Sequence, residues 1–303
     1  MSAEKSILDV LSYLQSNYGR LWCFLIFLIS SLICSLFTLY HLIFDRNLRK
    51  LRNNHIIIII LLVGLVSQTT NYPWMIHFYR VDGVWSRSYE FCAIWAYIDW
   101  TFYLLQSMLL AWATIERHIL IFHDHWMNTK MRVIFIHYLP PVSLVSYFII
   151  FYAVADTLAP CQNWYNTDWM RCVFFCISTD YKFWLWETIV HQVMPCCIII
   201  IFTIALFVRV ISTKMRARQP VQWQRQRKMA TQLMSMILIY IIFFLPYSIY
   251  YFLTIFIQPL YIHSSIVLFL ELLSYLTVLV IPFSCMLTLP ELGKRLKAML
   301  CCK

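Results

Sequence analysis

The run Cys92-Ala-Ile-Trp-Ala-Tyr-Ile-Asp99-Trp-Thr-Phe-Tyr103-Leu-Leu-Gln-Ser-Met-Leu-Leu-Ala-Trp-Ala-Thr-Ile-Glu116-Arg117 is long enough to cross a bilayer as one helix. A cysteine opens it, one carboxylate sits inside it, and a charge pair closes it. Asp99 and Arg117 stand 18 residues apart, which is five turns and about 27 Å of rise, so they share one face near opposite ends. A charge in the hydrocarbon region costs roughly 2.5–3.5 kcal/mol on insertion scales, so Asp99 requires a partner.

The rest of the chain has the same character. Of 303 residues 61% are hydrophobic and only 13% charged, with a mean hydropathy of +0.69. Soluble domains carry roughly 25% charged residues, so this is membrane composition. Apolar runs define seven spans at about 21–44, 55–79, 90–122, 131–155, 184–211, 229–257 and 264–288. The expected architecture is an all-α membrane protein, a seven-helix bundle over 21–288, between an N-terminal segment 1–20 and a tail 289–303. Segments 45–53, 116–132, 209–228 and 290–303 hold 18 of the 24 Lys and Arg residues. The positive-inside rule therefore places the N-terminus outside and the tail in the cytoplasm. The net charge of +10 follows from this topology and from attraction to the inner leaflet. No basic soluble face with base-reading groups is present, so no nucleic-acid partner is expected. Cys92, Cys161, Cys172 and Cys176 fall on the outer side, where disulfides persist, and four cysteines allow three connectivities.

Polar and proline residues mark the working parts of the spans. The second span ends in Ser67-Gln68-Thr69-Thr70-Asn71-Tyr72-Pro73, a polar patch expected to border a cavity. Pro140-Pro141 should kink the fourth span. Glu187, His191 and Pro195 recur at spacings of four in the fifth, which predicts one common stripe. The sixth holds Phe243-Phe244-Leu245-Pro246-Tyr247, and the seventh holds Glu271, Tyr275 and Pro282. Beyond it, Leu289 to Leu300 alternates apolar and basic faces. That pattern suits a short amphipathic eighth helix on the inner leaflet, with Cys301 and Cys302 as candidates for palmitoylation.

In order and spacing these features resemble a rhodopsin-like (class A) G-protein-coupled receptor across nearly the whole chain. In that family an outer cysteine of the third helix precedes the arginine of an acid-Arg-Tyr motif by 25 residues; here Cys92 precedes Arg117 by 25, within Glu116-Arg117-His118. Pro195, Pro246-Tyr247, Pro282 and Trp85 also match. The departures are many. Ser35 replaces the first-helix asparagine, the second-helix aspartate is absent, Phe244 replaces a tryptophan, and Ile281-Pro282-Phe283-Ser284-Cys285 lacks both polar ends of its motif. The resemblance implies a divergent plasma-membrane receptor whose partners are an extracellular ligand, the lipid bilayer and a heterotrimeric G protein.

It also implies roles. Glu116, Arg117 and His118 would face the G protein, with Arg117 held at rest by its neighbouring acid. Phe244, Pro246 and Pro282 would form the activation hinge, and Cys92 would bridge to Cys172 or Cys176. Asp99 falls where amine receptors keep the aspartate that binds a protonated amine, and Tyr275 where they place a tyrosine bonded to it. Tyr103, Glu187, His191, Tyr247 and Glu271 complete the expected ligand site. Three carboxylates there suit an amine or a basic peptide, and aromatic faces can hold a cation. An acid that would lock the sixth helix is missing, with Arg225, Gln226 and Arg227 in its region.

Other classes fit less well. His118, His123 and His125 with Asp124 form one local cluster, while the remaining histidines are scattered, so no metal site is expected. A retinal pigment needs a seventh-helix lysine, and Tyr275 holds that place, so no cofactor is expected. A cation channel or transporter using Asp99 and Glu271 is the competing reading, although no internal repeat supports it. Catalysis is not expected.

Overall fold

The computed structural model describes residues 16–122, 124–216, 233–257 and 264–288. The expected eighth helix, Cys301, Cys302, His123 and the Arg225–Arg227 region lie outside these residues. Helix α1 (Asn17–Phe44) starts where the Ser16 side chain accepts from the Gly19 amide. It is followed by α2 (Asn54–Arg80), α3 (Tyr89–Phe122), α4 (Lys130–Thr157) and α5 (Tyr181–Val208, continuing to Arg216). Helix α6 comprises Leu233–Phe243 and Leu245–Phe256, and α7 is Ser264–Thr288.

Five of these helices are long and apolar enough to cross a membrane, and the bent α6 makes a sixth. Helix α3 is the longest described, at 34 residues, but is more polar. Its position explains this: it packs against α2, α4 and α5, and its polar groups Asp99, Gln106, Glu116 and Arg117 are buried in protein. The result is an all-α membrane bundle whose largest apolar core gathers residues of α1 to α7 around α3. Hydrogen bonds add to it. The Gln68 side chain donates to Ser31 and accepts from Ser35, joining α2 to α1 at 3.0 Å in each case. The polar patch of α2 therefore faces neighbouring helices, with Gln68 and Asn71 both buried.

Prolines break the helices where a missing N–H leaves a carbonyl without its partner. Pro73 follows the break at Thr70 in α2. The Pro140-Pro141 pair, expected to kink α4, follows a π turn at Ile134–Tyr138. Pro195 follows a second π turn at Thr188–Val193 in α5. Pro246 accompanies a 43° bend of α6 at Phe244.

One end of the bundle is covered by the segment between α4 and α5. It forms a two-stranded antiparallel hairpin, β1 (Trp164–Tyr165) and β2 (Val173–Phe174), pairing Trp164 with Phe174. Two disulfides fix it, Cys92–Cys172 to α3 and Cys161–Cys176 within the segment. Peptide mapping under non-reducing conditions should recover these two pairs; a Cys92–Cys176 peptide would contradict the threading of the loop.

Candidate functional site

At the disulfide end a cavity of about 470 Å³ opens between the hairpin and the helices. Glu187, Tyr247 and Glu271, three of the expected ligand-site residues, line it together with Trp100, Arg171 and Tyr251. Asp99 does not line it; this carboxylate is 2% exposed and paired with the lining residue Arg171. Its Oδ1 accepts from Asn71 Nδ2 at 2.5 Å, and its Oδ2 accepts from the Tyr275 hydroxyl at 2.8 Å. Asn71 in turn accepts from the Trp95 indole at 2.7 Å, so three helices hold this carboxylate.

The charge that answers Asp99 comes from the chain itself. Arg171, in the hairpin, places Nη1 3.1 Å from Asp99 Oδ2 and Nη2 4.0 Å from Glu271 Oε1. Its guanidinium carbon lies 5.3 Å from the centre of the Trp100 ring, within cation–π range. Burial works against its charge, and the facing Tyr275, Asp99 and Glu271 outweigh that, holding the Arg171 pKa above its ordinary value.

Local structure explains how Arg171 reaches so deep. The next residue, Cys172, is bonded to Cys92 on α3, two turns from Asp99. Cys172 adopts φ +52°, and the Val173 amide donates to the Arg171 carbonyl at 2.8 Å across it. Such a three-residue turn with positive φ is rare and strained for a non-glycine residue. Arg87 clamps the preceding backbone, donating to the carbonyls of Thr167 at 2.5 Å and Trp169 at 2.9 Å, and also to that of Met170. Its guanidinium rests against Phe78, Trp85 and Trp95. Neither arginine stands out in the sequence except as a charge on the sparsely basic side. The adjacency of Arg171 to a bridging cysteine was the available signal.

The other expected ligand-site residues, Asp99, Tyr275, Tyr103 and His191, are not among those lining the cavity. His191 is fully buried between α4 and α5: the Tyr147 hydroxyl donates to Nε2 and Nδ1–H donates to Tyr152, both at 3.0 Å. The Tyr152 hydroxyl then donates to Glu187 Oε1 at 2.8 Å, and Trp100 Nε1 donates to the same oxygen at 2.6 Å. Glu187 and His191 thus share Tyr152 as a partner, so the two lie on a common side across the π turn at Thr188–Val193. The Tyr103 ring lies 5.7 Å from Tyr275 and 5.1 Å from Phe244. It thus connects the Asp99–Tyr275 pair to the α6 bend, where Phe244 stacks on Tyr240 at 4.5 Å.

At the opposite end Glu116 and Arg117 are each 1% exposed. Glu116 Oε1 contacts His137 Nδ1 of α4, a partner that the sequence reading did not name. His137 Nε2 lies 2.9 Å from His55 Nδ1, and His55 Nε2 lies 2.8 Å from the Arg49 carbonyl. That carbonyl can only accept, so His55 Nε2 carries a hydrogen, and in a neutral His55 the Nδ1 accepts from His137 Nε2. A single shared proton must then lie between His137 Nδ1 and Glu116. His118 packs its ring against Phe122 and Phe202. Among the described residues no group of histidine, cysteine and carboxylate side chains could hold a metal ion.

A family model described as "7 transmembrane receptor (rhodopsin family)" matches residues 35–287. No curated protein matches the chain.

His137→Phe would leave the buried Glu116 without its donor, and we expect a loss of about 3 kcal/mol of stability. Glu116→Gln in the same background should recover part of it in thermal unfolding; equal unfolding midpoints for His137→Phe and the native chain would refute the pairing.

Proposed function

The chain belongs to the rhodopsin family of seven-transmembrane receptors, and from that premise we propose that it couples an extracellular ligand to heterotrimeric G proteins without catalysis of its own. The disulfide end faces outward at the plasma membrane, with segment 1–20 outside. The Arg117 end and tail 289–303 face the cytoplasm, where Cys301 and Cys302 are candidates for lipidation. The ligand enters the 470 Å³ cavity and presents a cationic group, an amine or a basic peptide side chain, to Asp99 and Glu271. Tyr247 and Glu187 line its path, and Tyr275 orients Asp99.

The observation that carries this reading is the contact chain from cavity to hinge. Asp99 is bonded to Tyr275, Tyr275 packs on Tyr103, and Tyr103 packs on Phe244 at the bend of α6. A cation that alters the Asp99–Tyr275 pair therefore acts on the residue about which α6 pivots beside Pro246, with Pro282 as a second flexible point in α7. The swing exposes Arg117, flanked by Glu116 and His118, to the G protein. His191 supports α4 against α5 and takes no part in ligand contact.

The competing reading is a cation channel or transporter that passes ions along Asp99 and Glu271. Nucleotide exchange on a G protein in membranes, set beside cation flux in liposomes, separates the two. We expect exchange, including a basal rate above that of control membranes because the sequence carries no acid over 209–228 to lock α6; flux without exchange would overturn the receptor reading. With a cationic agonist in hand, Asp99→Asn should raise the half-maximal concentration at least about tenfold, a loss of roughly 1.4 kcal/mol. An unchanged potency would remove the cationic ligand from the account.

A further inference from the structure

Three features that recognise an organic cation meet here: Glu271 and the Trp100 ring line the cavity, and the buried carboxylate of Asp99 lies next to the lining residue Arg171. All three are already engaged by one group. Arg171 meets Asp99 at 3.1 Å and Glu271 at 4.0 Å, with its guanidinium over Trp100. Its side chain is 27% exposed toward the cavity, so the group is held but still reachable.

We propose that Arg171 is a built-in occupant of the ligand's cation position, an intramolecular competitor that an external guanidinium or ammonium compound must displace. The proposal rests on reading this cavity as the ligand site and is independent of G-protein coupling. The leash is short. Cys172 ties the adjacent residue to Cys92, the tight turn at Cys172 aims the side chain inward, and Arg87 holds the backbone on the other side. A group tethered so closely acts at an effective concentration of about millimolar or more. Any free cation then binds with an apparent affinity lowered by the fraction of time that Arg171 vacates the site. The ligand class this selects is a cation with an aromatic or apolar body. Its body gains contacts with Trp169, Tyr247 and Tyr251, which line the cavity and which a lone arginine side chain leaves open.

Chemical complementation tests the proposal on the purified full-length receptor, with ethylguanidinium as the probe and the thermal unfolding midpoint as the readout. Arg171→Ala opens a guanidinium-sized space beside an uncompensated Asp99. We expect millimolar ethylguanidinium to raise the midpoint of Arg171→Ala by several degrees. The native receptor, the Arg171→Lys variant and the Arg171→Ala/Asp99→Asn double variant should respond by less than a degree. An equal response in all four proteins, or none in folded Arg171→Ala, overturns the proposal. Should Arg171→Ala not be recovered folded, recovery of the double variant in its place supports the pairing, because removing Asp99 removes the charge that Arg171 answers; failure to recover either overturns it. The readout is binding alone, so a receptor that shows no nucleotide exchange but passes this test would contradict the proposed signalling and leave the occupant intact.

Discussion

The ion pair between Asp99 and Arg171 is the constraint on which the disulfide end of this protein depends. A carboxylate 2% exposed inside a membrane bundle needs both a cation and hydrogen-bond donors. Asn71 and Tyr275 supply the donors, from α2 and α7, and the loop supplies the cation. Everything about the loop serves that delivery: the Cys92–Cys172 bond, the positive φ at Cys172, and the Arg87 clamp on residues 167–170. The pair therefore ties four elements together, α2, α3, α7 and the hairpin. A change at any of them is felt at the others.

Proline sets the second level of organisation. Each break or π turn puts a local change of phase into an otherwise regular helix, and that phase decides what each side chain meets. In α5 Glu187 lines the cavity and accepts from Tyr152, whose hydroxyl His191 also meets deeper between α4 and α5. In α6 the break places Phe244 at a 43° bend against Tyr103. The hinge and Asp99 are thus neighbours in space because two aromatic rings fill the step between them.

Much of this was legible in the sequence. Apolar run lengths define the spans, because every backbone group in lipid must be bonded within a helix. The spacing from Cys92 to Arg117 marks the third helix, and the register of Tyr275 marks its partnership with Asp99. What was not legible has physical causes. The destination of Arg171 depends on how a loop is threaded under two disulfides, and four cysteines leave three connectivities open. The partners of His191, Tyr147 and Tyr152, come from the packing of α4 on α5, a tertiary contact that periodicity does not contain. His137 becomes a partner of Glu116 only through the crossing of α4 over α3, a tertiary contact between residues that are unremarkable in their own helices.

The central claim is that Arg171 compensates Asp99. A double-mutant cycle on these two residues, read by thermal unfolding of the purified receptor, tests it most directly. Removing one partner of a buried pair strands the other, so the account predicts a coupling free energy of about 1.5–3 kcal/mol between Arg171→Met and Asp99→Asn. Effects that add to within about 0.5 kcal/mol would show that the two groups do not act on each other, and would contradict it.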